Sequence, residues 1–214
     1  SDEDTIKNIE NIETSSGDDT ITGDGLVNHI ITNAGNDVVN AGAGADTIDA
    51  SAGNNVINGD AGNDVITTGT GNDTIDGGAD DDNITSTGGA NDISGGTGND
   101  TINLGAGNDL VDGGAGDDLI SSGAGDDTIT LGDGDDSISA GNDDDIIYAA
   151  GTGTDTLNGG AGSDTADYNG ASGIAVSFTD EDNQTVITNA ETDTLVNIEK
   201  IKGTTGDDTY VLAK

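Results

Sequence analysis

Stepping through the chain nine residues at a time from Ile12 lands on Ile21, Ile30, Val39, Ile48, Ile57, Ile66, Ile75, Ile84, Ile93, Ile102, Val111, Ile120, Ile129, Ile138 and Ile147. Every one is Ile or Val. Two places before each comes Asp or Asn, from Asp19 to Asp145. Glycine recurs four places before (Gly71, Gly98, Gly107, Gly116, Gly125) and six places before (Gly69, Gly78, Gly96, Gly105, Gly114, Gly123). The unit is G-x-G-(N/D)-D-x-(I/V)-x-x, and few backbones can repeat at such a period.

A helix is excluded, because a period of nine places no apolar stripe on one helical face and each interior glycine costs a helix about 1 kcal/mol. The triplet x-(I/V)-x instead fits a short strand with one side chain inward and its neighbours outward. Glycine admits positive φ without steric cost, so the other six residues read as a sharp turn. Two strands and two turns make one coil of 18 residues. The expected fold is all-β: a parallel β-roll solenoid with two short-stranded sheets, right-handed by the crossover rule.

Composition supplies the constraint on how such a coil is held. The chain has 214 residues, a net charge of −39, four Lys plus Arg and 43 Asp plus Glu. Phosphate binding needs cations, so nucleic acid is excluded as a partner, and so is an anionic membrane surface. No apolar run is long enough for a bilayer-spanning helix, so no membrane insertion is expected. With hydrophobic residues at 30% and four aromatics, the composition alone lies near the disordered class. Without Cys there is neither a disulfide framework nor a thiolate metal site. The absence of Pro and the prevalence of Ile and Val nevertheless point to order.

Residues 18 apart stack, which sorts the acids into two columns. One contains Asp46, Asp64, Asp82, Asp100, Asp118 and Asp136; the other contains Asp19, Asp37, Asn55, Asp73, Asn91, Asp109, Asp127 and Asp145. Stacked carboxylates repel by about 1 kcal/mol or more per pair, so cations are expected between the rungs. All the donors are oxygens, which favours Ca2+ over Mg2+. Zinc lacks ligands beyond His29, and His29 reads as an exposed strand residue without a role.

The repeat resembles the glycine- and aspartate-rich nonapeptide of the RTX (repeats-in-toxin) family over about residues 14–165. That resemblance implies a parallel β-roll with several Ca2+ ions held between turns. It also implies export by a type I system and a place outside, or on the surface of, a Gram-negative cell. Carried over by position, its ligands are the aspartates of both columns, continued by Asp155 and Asp164. The carbonyl-donating glycines are Gly69, Gly71, Gly78, Gly96, Gly98, Gly105, Gly107, Gly114, Gly116, Gly123 and Gly125. Leu26, Asp80 and Asp143 stand where a glycine belongs, and Asn28, Asn55 and Asn91 replace Asp. Sites around those three asparagines are expected to be weak or empty.

One residue is inserted after Ile147, the cycle resumes at Leu157 and Ala166, and residues 167–202 depart from it. Alternation at Ile174, Val176 and Phe178 suggests a strand, with another near Val186; together they read as a small C-terminal cap or insertion. The stretch 4–21 resembles 193–210 at an offset of 189, or twenty-one nonapeptides. The expected division is a capping remnant at 1–13, the roll at 14–166, the non-repeat β segment, and a further repeat block over 203–214, beginning near Gly206. Neighbouring blocks, or other copies of the chain, are the expected protein partners.

No EF-hand loop and no phosphate-binding G-x-x-G-K-(S/T) loop is present. Acid pairs at glycosidase-like spacing are meaningless among so many carboxylates, so no enzyme is expected. The leading expectation is a Ca2+-binding structural module of a large secreted or surface protein such as an adhesin, disordered until Ca2+ is present. The alternatives are a self-assembling surface-layer (S-layer) or fibre subunit, with Val38, Val56, Leu110 and Ile146 outward, and an ice-binding segment. The last is weakened because Thr20, Thr74 and Thr128 would be separated on their face by Val38, Val56, Asp92 and Leu110.

Overall fold

A computed structural model describes residues 10–169, 174–178, 183–188, 191–203 and 209–212. Among these there is no helix: the chain is a β-solenoid of two sheets, one 13-stranded and one 10-stranded. From Asn11 to Asp167, successive strands go alternately to the two sheets, so each coil contributes one strand to each. Triplets such as Thr20–Thr22 and Thr101–Asn103 form the shortest strands, with the central Ile buried. Others, such as Leu110–Ala115, run on through the glycine pair that follows.

Pairing is parallel and in register at 18 residues, as in Ile93↔Val111, Val111↔Ile129 and Ile84↔Ile102. The inward column of each sheet therefore meets the other in a single core, where Ile30, Ile66, Ile84, Ile102, Ile120 and Ile129 have no exposed surface. With coils about 4.8 Å apart, the roll is a slender rod whose core is the two aliphatic columns, widened in places by Ala41, Ala50, Leu104, Leu131 and Ala140. Ile12 and Ile201 are only partly buried and lie toward its two ends.

The turns can stack this closely only because they lack side chains. Gly98 has φ +132, and a Cβ there would collide with the Asp80 carbonyl of the coil below. Gly114, at φ +103, would likewise strike the carbonyl of Gly96. The outward residues of the smaller sheet pair as Thr20↔Val38, Val38↔Val56, Val56↔Thr74, Thr74↔Asp92, Asp92↔Leu110 and Leu110↔Thr128. No unbroken row of threonines forms along these strands.

The residue inserted after Ile147 lengthens a coil to 19 residues, as in Ile138↔Leu157, without disturbing the core. Beyond Tyr168, strands Ile174–Phe178 and Asn183–Thr188 form an antiparallel hairpin. The second of them pairs antiparallel with Glu191–Val196. The chain then rejoins the roll: Glu191–Val196 lies parallel to Thr156–Ala161, and Lys200–Lys202 parallel to Thr165–Asp167. Leu195 and Ile198 are buried with the core. Residues 1–9 and the expected block start near Gly206 lie outside the described residues, whereas Thr209–Leu212 pairs parallel with Ile174–Phe178.

Candidate metal-binding edges

Each aspartate column runs along one edge of the roll, at the point where the turn enters the strand. One carboxylate oxygen is committed to the backbone. Asp46 Oδ1 accepts from the amide of Asn28 (2.6 Å), Asp64 from Asp46 (2.7 Å), Asp82 from Asp64 (2.8 Å), Asp100 from Asp82 (2.8 Å), Asp118 from Asp100 (2.8 Å) and Asp136 from Asp118 (2.9 Å). The other edge repeats this from Asp37, which accepts from Asp19 (2.9 Å), through Asp73, Asp109 and Asp127 to Asp145, which accepts from Asp127 (2.9 Å).

The second oxygen has no such partner. Oδ2 of Asp19, Asp37, Asp46, Asp64, Asp73, Asp82, Asp100, Asp109, Asp118, Asp127, Asp136, Asp145 and Asp164 is buried without a hydrogen bond. An ionised oxygen so placed is costly, because burial removes water and returns nothing. The cost appears as raised pKa values. Burial, reinforced by the charges of Asp64, Asp100 and Asp80, pushes Asp82 up to about 7. Burial and the Asp136 and Asp100 charges do the same to Asp118, again to about 7. Asp64 and Asp136 rise to about 6, and Asp145 and Asp155 to about 7, each chiefly through burial. Without a counter-ion, these carboxylates hold a proton to a higher pH than exposed ones.

Oxygens from the next coil turn toward the same places. A Cβ built on Gly77 would lie 2.5 Å from Asp82 Oδ2 and 2.7 Å from the Gly95 carbonyl oxygen. At Gly95 the corresponding atoms are Asp100 Oδ2 (2.5 Å) and the Gly113 carbonyl (2.6 Å), and at Gly113 they are Asp118 Oδ2 (2.7 Å) and the Leu131 carbonyl (2.6 Å). Each glycine thus leaves open a cradle faced by a carboxylate and a carbonyl of successive coils. Among the described residues no three His, Cys, Asp or Glu side chains converge to hold a metal. A cation here must therefore draw on backbone carbonyls, and an all-oxygen donor set of that kind fits Ca2+.

The glycines identified from sequence line the same turns. The carbonyls of Gly78, Gly96, Gly98, Gly105 and Gly107 face Gly96, Gly114, Gly116, Gly123 and Gly125 of the following coil, while Gly71 lies above Gly53 and Gly69 above Ser51. The carbonyls that share a glycine with an unpartnered Oδ2 belong to a different set: Gly77, Gly95, Gly113, Leu131 and Asn197. Their signal in the sequence is the glycine pair at 77–78, 95–96 and 113–114, whose first member the nonapeptide count passes over.

Two further elements escape the count. Asp155 donates its amide to Asp193 Oδ1 (3.1 Å), and Asp164 to Glu199 Oε2 (2.8 Å), so both carboxylate ladders cross the hairpin insertion. The triplet Asp193-Thr194-Leu195 is the D-x-(aliphatic) signature that could have located the first. An outer ladder also runs through the residue before many of the aspartates. Asp18 Oδ1 accepts from the Asn36 amide, Asn36 Oδ1 from Asn54 and Asn54 Oδ1 from Asn72, each at 2.8 Å. Asp81, Asn99 and Asp117 repeat it on the other edge.

The family model of the RTX calcium-binding nonapeptide repeat matches residues 8–25, 22–57, 49–84, 58–93, 85–120, 121–151 and 148–170. The chain belongs to the RTX calcium-binding repeat family. A search of curated proteins finds no match. As an RTX roll it is a structural calcium-binding module, and the matched repeats are those that carry both ladders. The family match ends at residue 170, just before the hairpin.

Proposed function

We propose that this chain is a calcium-folded structural segment of a large secreted or cell-surface bacterial protein, such as an adhesin, and that it has no catalytic role. Calcium ions sit along both edges, held by Oδ2 of the stacked aspartates and by turn carbonyls including those of Gly77, Gly95 and Gly113. The observation that carries this reading is the series of buried carboxylate oxygens with no partner, repeated coil after coil. A divalent cation supplies the missing charge and removes the repulsion along each column.

The few aliphatic side chains buried per coil cannot offset the entropy of fixing 18 residues, at about 1–2 kcal/mol each, together with the carboxylate repulsion. In the cytosol, at micromolar calcium or below, the chain stays unfolded and fit to pass a secretion channel. Outside, millimolar calcium fills sites of about 10^-4 to 10^-3 M affinity, and each filled site stabilises its neighbours through the stack. Far-ultraviolet circular dichroism during a calcium titration, with magnesium as control, is expected to show a cooperative coil-to-β transition for calcium alone. A β spectrum unchanged in excess chelator, with bound metal ruled out, would sink this reading. Light scattering recorded in the same titration separates a monomeric rod from a self-assembling surface-layer or fibre subunit.

A further inference from the structure

The edge that contains Asp37 does not repeat from coil to coil. Five places before Asp37 and Asp73 stand Thr32 and Thr68, whose Oγ1 atoms, like the Oδ2 atoms of those aspartates, are buried without hydrogen-bond partners. At the intervening rungs the same places hold Ala50 with Asn55 and Ser86 with Asn91, and none of their side-chain atoms is left in that state. Asn55 Oδ1 accepts from the Asp37 amide (3.0 Å) and Asn91 Oδ1 from the Asp73 amide (3.0 Å), just as an aspartate would. Committing the oxygen to the ladder points the NH2 group into the turn. Asn55 Nδ2 there donates to the carbonyls of Ala50 and Gly53, both at 3.3 Å. Asn91 Nδ2 donates to Ser86 Oγ (3.2 Å) and the Gly89 carbonyl (3.1 Å).

We infer that Asn55 and Asn91 close their turns with the side-chain amide where the neighbouring rungs take calcium, so that this part of the edge is loaded at alternate coils. The inference rests on the calcium reading proposed above. An amide NH2 has two donors and no net charge, so it satisfies turn oxygens as a cation does without needing a carboxylate beside it. It also separates Asp37, Asp73 and Asp109, which would otherwise repel along the stack. At the loaded rungs, the Thr32 and Thr68 hydroxyls offer an oxygen that Ala50 does not. Asn28 is different, because its Oδ1 accepts from the nearby Asp24 amide (3.0 Å).

Calcium bound per chain is measured by equilibrium dialysis for the whole chain, the double variant Asn55→Asp/Asn91→Asp, and Asn55→Ala/Asn91→Ala. The aspartate variant is expected to bind an additional ion at each exchanged rung. The alanine variant is expected to keep the wild-type count while its thermal midpoint in saturating calcium falls, because only the amide bonds are lost. A loading wild-type chain whose aspartate variant gains no ion overturns this inference alone, and so does loss of ions from the alanine variant. Should the aspartate variant not fold, the alanine variant decides by its ion count. A wild-type chain that takes up no calcium overturns both the proposed function and this inference.

Discussion

The two edges of the roll share one backbone plan and differ in what fills it. Along the first, Asp46, Asp64, Asp82, Asp100, Asp118 and Asp136 follow without interruption, and glycines at 59, 77, 95 and 113 leave room beside the carboxylates. Along the second, Asn55 and Asn91 interrupt the aspartates, and Thr32, Ala50, Thr68, Ser86, Leu104 and Ser122 occupy the places of those glycines. The first edge concentrates negative charge and stands ready for cations; the second dilutes its charge with amides. A solenoid can thus keep its period and core while giving its two edges different charge.

Calcium removal tests the comparison most severely: chelation is expected to abolish the β signal of the whole roll, since amides on one edge do not relieve the other. Next comes Asp100→Ala on the unbroken edge against Asp73→Ala between two asparagines. With calcium at ten times Kd, each site adds about 1.4 kcal/mol. In the proposed arrangement Asp100 borders cation positions on both sides, so its loss is expected to cost about 3 kcal/mol and raise the calcium midpoint more than loss of Asp73. Equal midpoints would break the comparison.

Acidity comes third. Asp82 and Asp118, raised to about 7, and Asp64 and Asp136, raised to about 6, bind protons more readily in the cation-free fold than when unfolded. Their contribution to that fold is present in full below the unfolded value near 3.8 and is lost as pH rises through 6 to 7. Protons also compete with calcium, so calcium binding at pH 7 should release protons in a calorimetric buffer series, and the calcium midpoint should rise between pH 7.5 and 5.5. Gly95→Ala, which fills a cradle on the first edge, is expected to raise the midpoint more than Ala50→Gly changes it on the second. The smallest effect belongs to the outer ladder: Asn54→Ala removes one exposed acceptor and is expected to lower stability in calcium by about 0.5–1.5 kcal/mol, read from the thermal midpoint.

Much of this was legible in the sequence because a strict period leaves the backbone little choice. The Ile and Val columns fix the core, and the spacing of Asp64, Asp82 and Asp100 places them on successive coils. The glycines marked the turns, yet nothing in their spacing told which carbonyl faces a carboxylate, since that depends on how Gly77 and Gly95 sit relative to the next coil. Asp193 and Glu199 were hidden by offsets of 38 residues from Asp155 and 35 from Asp164, created by the hairpin. The direction of the Asn55 amide follows only from seeing its oxygen committed to Asp37.

The two side-chain ladders run in opposite senses. On the inside, the amide of each coil donates to the carboxylate of the coil after it, as Asp82 does to Asp100; on the outside it donates to the coil before it, as Asn99 does to Asp81. The rod therefore has a heads and a tails. Each such coil presents inner acceptors and outer donors toward the coil before it, and inner donors and outer acceptors toward the coil after it. Coils stacked in opposite senses would set donor against donor and acceptor against acceptor, whereas the observed parallel stacking continues both ladders from coil to coil. The repeat is therefore polarised in the manner of a filament with distinguishable ends.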